Sequence, residues 1–343
     1  MNRSVLIGVL VFGLVVYGSS CNKEDDGNDV EFRVPSNFPS PTYNFTSNPV
    51  TKAGFELGRK LFYDPLLSRD NTISCGSCHI QTAAFTHHGH GLSHGIDDLL
   101  GKRNSPPVMN MAWSETFFWD GGVHNLDLVT PNPIENPVEM DLKFSVALDK
   151  VRNNSDYKKM FKAAFGSEEV TSAKFLQAMS QFMNMLVSAN SRYDKYVRGE
   201  GETLSSDEIE GLNLFKQKCS SCHSTDLFTD NGFHNNGLSL AFADSGRYNI
   251  TLNPSDMGKF KTPSLRNIEK TKPYMHNGSI GSLESVLNHY ASGVKQSATL
   301  DPLLQQNGQL GIPMTEDEKA KIILFLKTLT DTEFLKDRRF SEF

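Results

Sequence analysis

The pattern of hydrophobic positions along the chain is that of a helical protein. Apolar side chains recur at helical spacing over residues 53–63, 173–189, 282–290 and 315–329. The stretch 173–189 is the clearest, because its Phe, Leu, Met and Val side chains form one broad apolar face, as in a core helix. Another helix is expected to start at a Ser205 or Ser206 cap and to end at Cys219. The chain is therefore predicted to be mostly α.

An apolar run near the N-terminus predicts export. Residues 5–16 are apolar and follow Arg3, an arrangement typical of a secretion signal and too short for a membrane-spanning helix. Small residues precede Cys21, as in the lipobox of bacterial lipoproteins, although Gly18 stands where that motif has an aliphatic residue. Residues 1–20 are therefore interpreted as a lipoprotein-type signal peptide, with acyl chains on Cys21 anchoring the protein to a membrane. Ordinary signal cleavage, which would leave Cys21 as a stray thiol, is the alternative.

The remainder of the chain divides into a tether and two domains. Residues 21–50 are acidic and then rich in Pro, Ser and Asn, which is typical of a flexible tether. The helical pattern breaks at 198–201, so an N-terminal domain at 51–200 and a C-terminal domain at 201–343 are expected. The net charge of −6 argues against nucleic acid as a partner.

Two copies of the motif C-x-x-C-H are the main chemical signal. The first copy comprises Cys75, Cys78 and His79, and the second comprises Cys219, Cys222 and His223. In c-type haem proteins, two thiols on one side of a helical turn form thioethers to the haem, and the histidine that follows ligates the iron. The chain has only five cysteines, so the two motifs predict two covalent c-type haems, one in each domain.

Zinc, thiol redox chemistry and disulfides are the alternatives for these four cysteines. Zinc ribbons separate their cysteine pairs by about 15–20 residues, whereas the two pairs of this chain lie much further apart. A thioredoxin-like pair needs a βαβ setting, which neither copy has. Disulfides suit an exported protein, but they do not call for a histidine after each pair. Haem attachment is therefore favoured over all three.

A segment rich in His and Gly follows the first motif. Residues 81–101 contain four histidines (His87, His88, His90 and His94) separated by glycines, which indicates a mobile loop. A histidine of this loop could supply a sixth ligand to the first haem iron. For each histidine taken alone, a solvated side chain is the better interpretation.

Several further segments carry a family resemblance. They are LGRKLFYDPLLS before the first C-x-x-C-H, RN-x-P at 103–106, FWDG at 118–121, NPVEM at 136–140, and TPSLRN and PYMHNG in the second half. Together they resemble the bacterial dihaem cytochrome c peroxidase and MauG superfamily over about residues 53–329. The resemblance implies two cytochrome c-like domains, each with one c-type haem.

The resemblance assigns roles to two residues near the first haem. Trp119 of FWDG would lie between the haems and help electron transfer, whereas without the resemblance it would be a core aromatic. Glu139 of NPVEM would be the acid and base for peroxide in the distal pocket, whereas taken alone it would be a surface carboxylate. Burial there should raise the pKa of Glu139 above the ~4.3 of free Glu. The family's distal Gln, ten residues before this Glu, falls on Val129, so peroxide and its waters must be held differently.

The resemblance also implies metal ligands outside the two motifs. In peroxidase relatives, a loop histidine ligates the first iron in the resting oxidised enzyme, and His94 is the candidate for that ligand. A calcium ion between the domains would be bound by Asn104 of RN-x-P and by the backbone carbonyls of Thr271 and Pro273. Both sites follow from the resemblance alone.

The distal ligand of the second haem separates two branches of the family. The peroxidase branch places a Met fourteen residues after the His of its PYxH motif, and counting from His276 reaches Tyr290. MauG-type members use Tyr at this position. A phenolate would stabilise ferric iron and lower the haem potential relative to Met. Tyr290 is therefore predicted to ligate the second iron, and His289 is a rival that would need a one-residue shift of the helix face.

Three functions are consistent with these features. The first is a dihaem peroxidase that reduces hydrogen peroxide to water with electrons from a small c-type cytochrome or a cupredoxin. The second is a MauG-like oxidase of a protein or organic substrate, supported by a high-valent His/Tyr haem. The third is a dihaem electron carrier without turnover. The expected location is the periplasm, as a membrane-anchored lipoprotein, and a homodimer is left open.

Overall fold

The computed structural model describes residues 30–306 and 308–342. The predicted signal peptide and the lipidated Cys21 lie outside these residues. Within them, no helix has both the length and the apolar character needed to cross a membrane.

Helices dominate the described residues, as the hydrophobic periodicity predicts. In chain order they are α1 (Lys52–Tyr63), α2 (Cys75–Cys78), α3 (Pro131–Glu135), α4 (Phe144–Arg152), α5 (Ser155–Phe165), α6 (Ser172–Met185), α7 (Arg192–Val197), α8 (Ser206–Lys218), α9 (Tyr248–Thr251), α10 (Leu283–Asn288) and α11 (Glu316–Lys327). A π-helical turn, His289–Gly293, directly follows α10. The strands described are β1 (Phe233–His234) with β2 (Phe260–Lys261) and β3 (Gln305–Gln306) with β4 (Gln309–Leu310), each pair antiparallel.

The helices expected from the sequence form, with differences at their ends. The Ser205 hydroxyl accepts a hydrogen bond from the Glu208 N–H, which confirms it as the cap of α8. The stretch 173–189 forms α6 but ends at Met185. The stretch 282–290 is α-helical only to Asn288 and then widens into the π-turn.

One close helix pair builds each half of the molecule. α1 packs along α6 in the first half, and α8 packs along α11 in the second. In each pair a glycine stands at the crossing, because a Cβ atom at Gly58 would overlap the carbonyl oxygen of Ala178, and one at Gly211 would overlap that of Lys321. Absence of a side chain therefore lets both helix backbones approach closely.

The hydrophobic cores do not follow the predicted domain boundary at residue 200. Tyr193 of α7 belongs to the core of the second half, where its ring packs edge-on against Phe325. Phe334 and Phe340, after the last helix, return to the core of the first half. The chain thus crosses between the two cores before residue 200 and again at its C-terminal end, and a single cut cannot separate them.

The expectation of a flexible tether is wrong for residues 30–50. Phe38 is buried and its ring packs edge-on against Trp113, whose indole N–H donates to the Pro39 carbonyl. Phe32 stacks on Phe45 with ring centroids 4.1 Å apart. Aromatic burial outweighs the Pro- and Ser-rich composition that suggested a tether, so this segment is part of the folded body.

A buried ion pair joins distant parts of the chain. The Arg266 guanidinium donates to both carboxylate oxygens of Asp194 at 2.7 and 2.8 Å, and both side chains are fully buried. Arg266 also donates to the Asp226 carbonyl, and the Asn37 amide donates to Asp194. Burial opposes ionisation of Asp194, but the guanidinium holds the pKa of its carboxyl below the usual range. The pair ties residues 30–50, α7 and the TPSLRN segment together.

Removing one partner of this pair should destabilise the fold strongly. Asp194→Ala leaves a buried guanidinium without its counter-charge, and we expect a loss of about 3–5 kcal/mol in the free energy of unfolding, measured by urea denaturation. Lys159→Ala, which breaks the exposed pair with Asp156, is the control and should change little. Because the pKa of Asp194 is depressed in the folded state, its contribution is lost as pH falls through that value. A variant as stable as wild type at neutral pH would contradict this account.

Candidate active site

Both C-x-x-C-H motifs fold into the helical turn that their spacing predicts. In the first motif the His79 N–H donates to the Cys75 carbonyl at 2.9 Å. In the second motif the His223 N–H donates to the Cys219 carbonyl at 3.0 Å, directly after α8 ends. The two cysteines of each motif therefore lie on one turn, with the histidine immediately after it.

A backbone carbonyl orients each motif histidine. His79 Nδ1 lies 2.7 Å from the carbonyl oxygen of Phe85, and His223 Nδ1 lies 3.0 Å from that of Phe228. Burial lowers the pKa of both imidazoles, so each is neutral, donates from Nδ1 and keeps Nε2 for a metal. A second-shell carbonyl on Nδ1 is the usual arrangement for a ligating histidine. The donor sets fit two c-type haems.

The two accepting phenylalanines share a rare backbone conformation. Phe85 has a φ of 60° and Phe228 a φ of 54°, both in the left-handed region that side chains with a Cβ rarely enter. Each lies five or six residues after its motif histidine. A residue in this strained conformation thus follows both motifs, and in both places its carbonyl holds the imidazole.

A cavity of about 1370 Å³ extends from the first motif toward the second half of the chain. Cys75, Cys78 and His79 line one part of it, and Asn236 and Pro263 line another. Glu139 and Trp119, to which the family resemblance assigns catalytic roles, also line the cavity. The Pro263 backbone also interacts with the His223 ring, so the cavity connects the first motif with a residue that contacts the second.

Glu139 lies in this cavity beside the first motif. Burial raises the pKa of its carboxyl above the usual range, although the Asn136 amide, which donates to Oε1 at 2.6 Å, opposes the rise. Burial is the main cause of the raised pKa of the Cys75 and Cys78 thiols, and the Glu139 charge adds to it, so the carboxylate lies near both cysteines. Val129, where the family has Gln, also lines the cavity and contributes only an apolar surface.

Trp119 is buried in the wall of the cavity. Its indole N–H donates to the Asn104 carbonyl at 2.8 Å, and its own carbonyl accepts from the Lys261 N–H at 2.8 Å. The first contact belongs to the N-terminal half and the second to the C-terminal half. The ring is therefore fixed at the seam between the two halves.

Tyr290 faces the second motif from the π-turn. Burial raises the pKa of its phenol, the Asn236 side chain opposes the rise, and Cys222 and Cys219 add to it, so the phenol lies near both cysteines. The wider π-turn changes the side-chain direction at this point of the helix, as π-turns often do at functional sites. The rival His289 instead directs Nε2 to the Asn236 carbonyl at 3.0 Å.

The predicted resting-state ligand His94 is not brought into the cavity. Its Nδ1 pairs with Asp98, and its ring lies edge-on to His90 with centroids 5.1 Å apart. His87 packs against His90 at 5.4 Å. The loop histidines thus cluster with each other at the surface, and ligation of the first iron by His94 stays a prediction.

Of the predicted calcium ligands, Asn104 lies near the segment that holds the other two. The Asn104 N–H donates to the His276 carbonyl at 2.7 Å, which places Asn104 next to the segment that holds Thr271 and Pro273. The Asn104 amide donates to the Gly91 carbonyl at 3.0 Å, and this turns its Oδ1 away from Gly91. Asn104 is buried. The calcium site stays a prediction.

Sequence reasoning missed two features of the site. Asn136 stands three residues before Glu139, a spacing that brings side chains of a helical turn together and was a usable signal. The carbonyls of Phe85 and Phe228 carried no such signal, because a backbone oxygen leaves no trace in residue type.

Comparison with known proteins decides the family. Residues 52–202 match the family described as di-haem cytochrome c peroxidase. The methylamine utilization protein MauG of Methylorubrum extorquens is 36% identical over 310 residues, which cover 87% of this chain and 83% of that protein. The chain belongs to the di-haem cytochrome c peroxidase family.

Two further members resemble this peroxidase-family chain closely. Cytochrome c551 peroxidase of Nitrosomonas europaea is 36% identical over 280 residues, covering 80% of this chain and 79% of that protein. A crystal structure of a MauG-like protein associated with microbial copper homeostasis superposes with a TM-score of 0.82 at 34% identity, covering 91% of this chain and 99% of that one. The predicted family resemblance is confirmed.

Loss of the Asn136 amide should raise the pKa of Glu139 further. The amide donates to the carboxylate and so favours its ionised form. In Asn136→Ala the carboxyl should titrate at higher pH than in wild type, followed by the infrared carboxyl band that disappears in Glu139→Gln. Asn132→Ala, at an exposed position on the same cavity, is the matched control. A Glu139 titration that stays in place or moves to lower pH would contradict the assignment.

Proposed function

We infer that the protein is a dihaem peroxidase that reduces hydrogen peroxide to water with electrons from a c-type cytochrome or a cupredoxin. The observation that carries this is the half-buried Glu139 carboxylate, whose pKa is raised by burial, in the same cavity as Cys75, Cys78 and His79. Relatives named cytochrome c551 peroxidase support the inference. An electron carrier has no need of a proton-transferring carboxylate beside one of its haems.

Proton transfer is the task that we assign to Glu139. The overall reaction consumes one peroxide, two electrons and two protons and yields two waters. A haem held by Cys75, Cys78 and His79 would supply the redox-active iron for cleavage of the O–O bond. Glu139 takes the proton from the bound peroxide and returns it to the departing oxygen, as one carboxylate with a pKa closer to neutrality can do in turn. Asn136 fixes the carboxylate orientation for both steps.

Electron delivery is the task that we assign to the second motif and to Trp119. The buried indole lies in the cavity wall and donates to the Asn104 carbonyl of the first half, and the Trp119 backbone carbonyl accepts from the Lys261 N–H of the second half. Its position supports a relay between a haem held by His223 and one held by His79. Tyr290, whose phenol lies beside Cys219 and Cys222, is the proposed distal ligand of the second haem.

The remaining assignments extend this proposal. We place the protein in the periplasm, because c-type haem is attached outside the cytoplasm in bacteria, and we keep a lipid anchor at Cys21 as part of the proposal. The position of Asn104 beside the 271–276 segment supports a calcium ion between the halves, bound also by the Thr271 and Pro273 carbonyls.

Removing the carboxylate should abolish most peroxidase activity. Glu139→Gln keeps the side-chain volume but cannot transfer the proton, so kcat/KM for hydrogen peroxide with reduced cytochrome c should fall by about 10²–10⁴-fold. Glu135→Gln is the matched control, because Glu135 lines the same cavity but is exposed and bonds to the Phe144 N–H. Activity in Glu139→Gln equal to that of the control, with both haems attached, would remove the assigned role.

A MauG-like oxidase is the second candidate, and Tyr290 favours it. Relatives of similar identity are named MauG, and a phenolate ligand would stabilise an oxidised second haem. Tyr290→Met should raise the potential of the second haem, measured by spectroelectrochemical titration. Steady-state peroxide turnover with cytochrome c should survive in this variant if the protein is a peroxidase. Loss of all turnover with intact haems would favour the oxidase.

A further inference from the structure

A lysine reaches into the cavity wall from β2. The Lys261 ammonium donates to the Thr116 carbonyl at 2.6 Å, and its backbone N–H is held by the Trp119 carbonyl. The residue is half-buried, and burial lowers the pKa of its amine to about 8. Lys261 and Thr116 both line the cavity that contains the first motif. The Lys261 ammonium therefore lies at the seam between the two halves.

The ammonium has no counter-charge among the described residues. None of their ion pairs includes Lys261, and the carboxylate that acts on it most is Glu115, an exposed residue whose effect is smaller than that of burial. The neighbouring Thr116 hydroxyl is buried and lacks a hydrogen-bond partner in the structure. A buried ammonium without an anion is costly, and so is a buried hydroxyl without a partner. One anion could supply both the counter-charge for the ammonium and the hydrogen-bond acceptor for the hydroxyl.

The other buried cation of the cavity is already neutralised. Arg103 bonds to Asp120 on one side and to both carboxylate oxygens of Asp244 on the other. Its charge is therefore matched by protein carboxylates, whereas that of Lys261 is not. Because a haem carries two propionates and the cavity holds the first haem-attachment motif, the missing anion has the chemistry of a haem propionate.

We propose that the Lys261 ammonium and the Thr116 hydroxyl bind a propionate carboxylate of a haem seated in the cavity, and that this contact sets the potential of that haem. The two groups supply a charge and two kinds of donor to one carboxylate. The backbone bond between Lys261 and Trp119 then links the propionate to the residue at the seam. This inference rests on haem binding and not on peroxide turnover.

The test compares three holoprotein variants with wild type. Lys261→Met removes the charge, Lys261→Arg keeps it, and Lys259→Met removes a charge two residues away that pairs with Asp256 and does not line the cavity. In Lys261→Met, titrated at neutral pH, where the wild-type amine with its pKa of about 8 is charged, the ferrous-to-ferric ratio of one haem at fixed ambient potential should fall about tenfold. That is the effect of one charge lost roughly 10 Å from iron at an effective dielectric constant of about 20. Lys261→Arg and Lys259→Met should leave both potentials near wild type.

A second measurement covers the case in which Lys261→Met fails to fold. Thr116→Val keeps the lysine and removes only the hydroxyl, so the propionate-bending band in the resonance Raman spectrum should shift in Thr116→Val but not in Lys259→Met. Potentials in Lys261→Met equal to those in Lys259→Met would overturn the proposal. So would an unchanged Raman band in Thr116→Val. Neither readout requires peroxidase activity, and failure of the proposed function would leave both unaffected.

Discussion

The chemistry of this protein depends on two backbone carbonyls. Those of Phe85 and Phe228 accept from the Nδ1 atoms of His79 and His223 and so favour the tautomer that would leave Nε2 for a metal. A side-chain acceptor could rotate or titrate, whereas a carbonyl in a strained left-handed turn can do neither. The burial that keeps both imidazoles neutral serves the same end, because a protonated ring cannot bind a metal.

Both haem-binding motifs have a histidine held by a backbone carbonyl. They differ in the groups that line the opposite side of each site. At the first motif the facing groups are the Glu139 carboxylate and the open volume of the cavity. At the second motif the facing group is the Tyr290 phenol, brought there by a π-turn. The first site is thus suited to a small substrate whose reaction requires proton transfer. The second is suited to an iron with both axial positions filled by protein ligands. Trp119 lies in the wall between these two environments.

Local pattern predicted the parts of the structure that local forces build. The helices at 53–63 and 315–329 and the turns of both C-x-x-C-H motifs follow from periodicity, caps and spacing. The order of residues 30–50 and the chain crossings at Tyr193 and Phe334 could not be predicted, because they depend on aromatic contacts between distant segments. Family motifs located Glu139 and Trp119, yet no pattern in residue types signals an ammonium such as that of Lys261, which has no carboxylate partner within residues 30–306 and 308–342.

The return of the C-terminal segment to the first core makes the first site depend on residues far along the chain. Phe334 packs against Phe85, the residue whose carbonyl holds His79, and the Gln81 amide donates to the Phe334 and Asp337 carbonyls. These two hydrogen bonds span 253 and 256 residues of sequence. A proteolytic cut between the second motif and Phe334 would therefore remove support from the first histidine, although the cut lies in the half of the chain that carries the second motif.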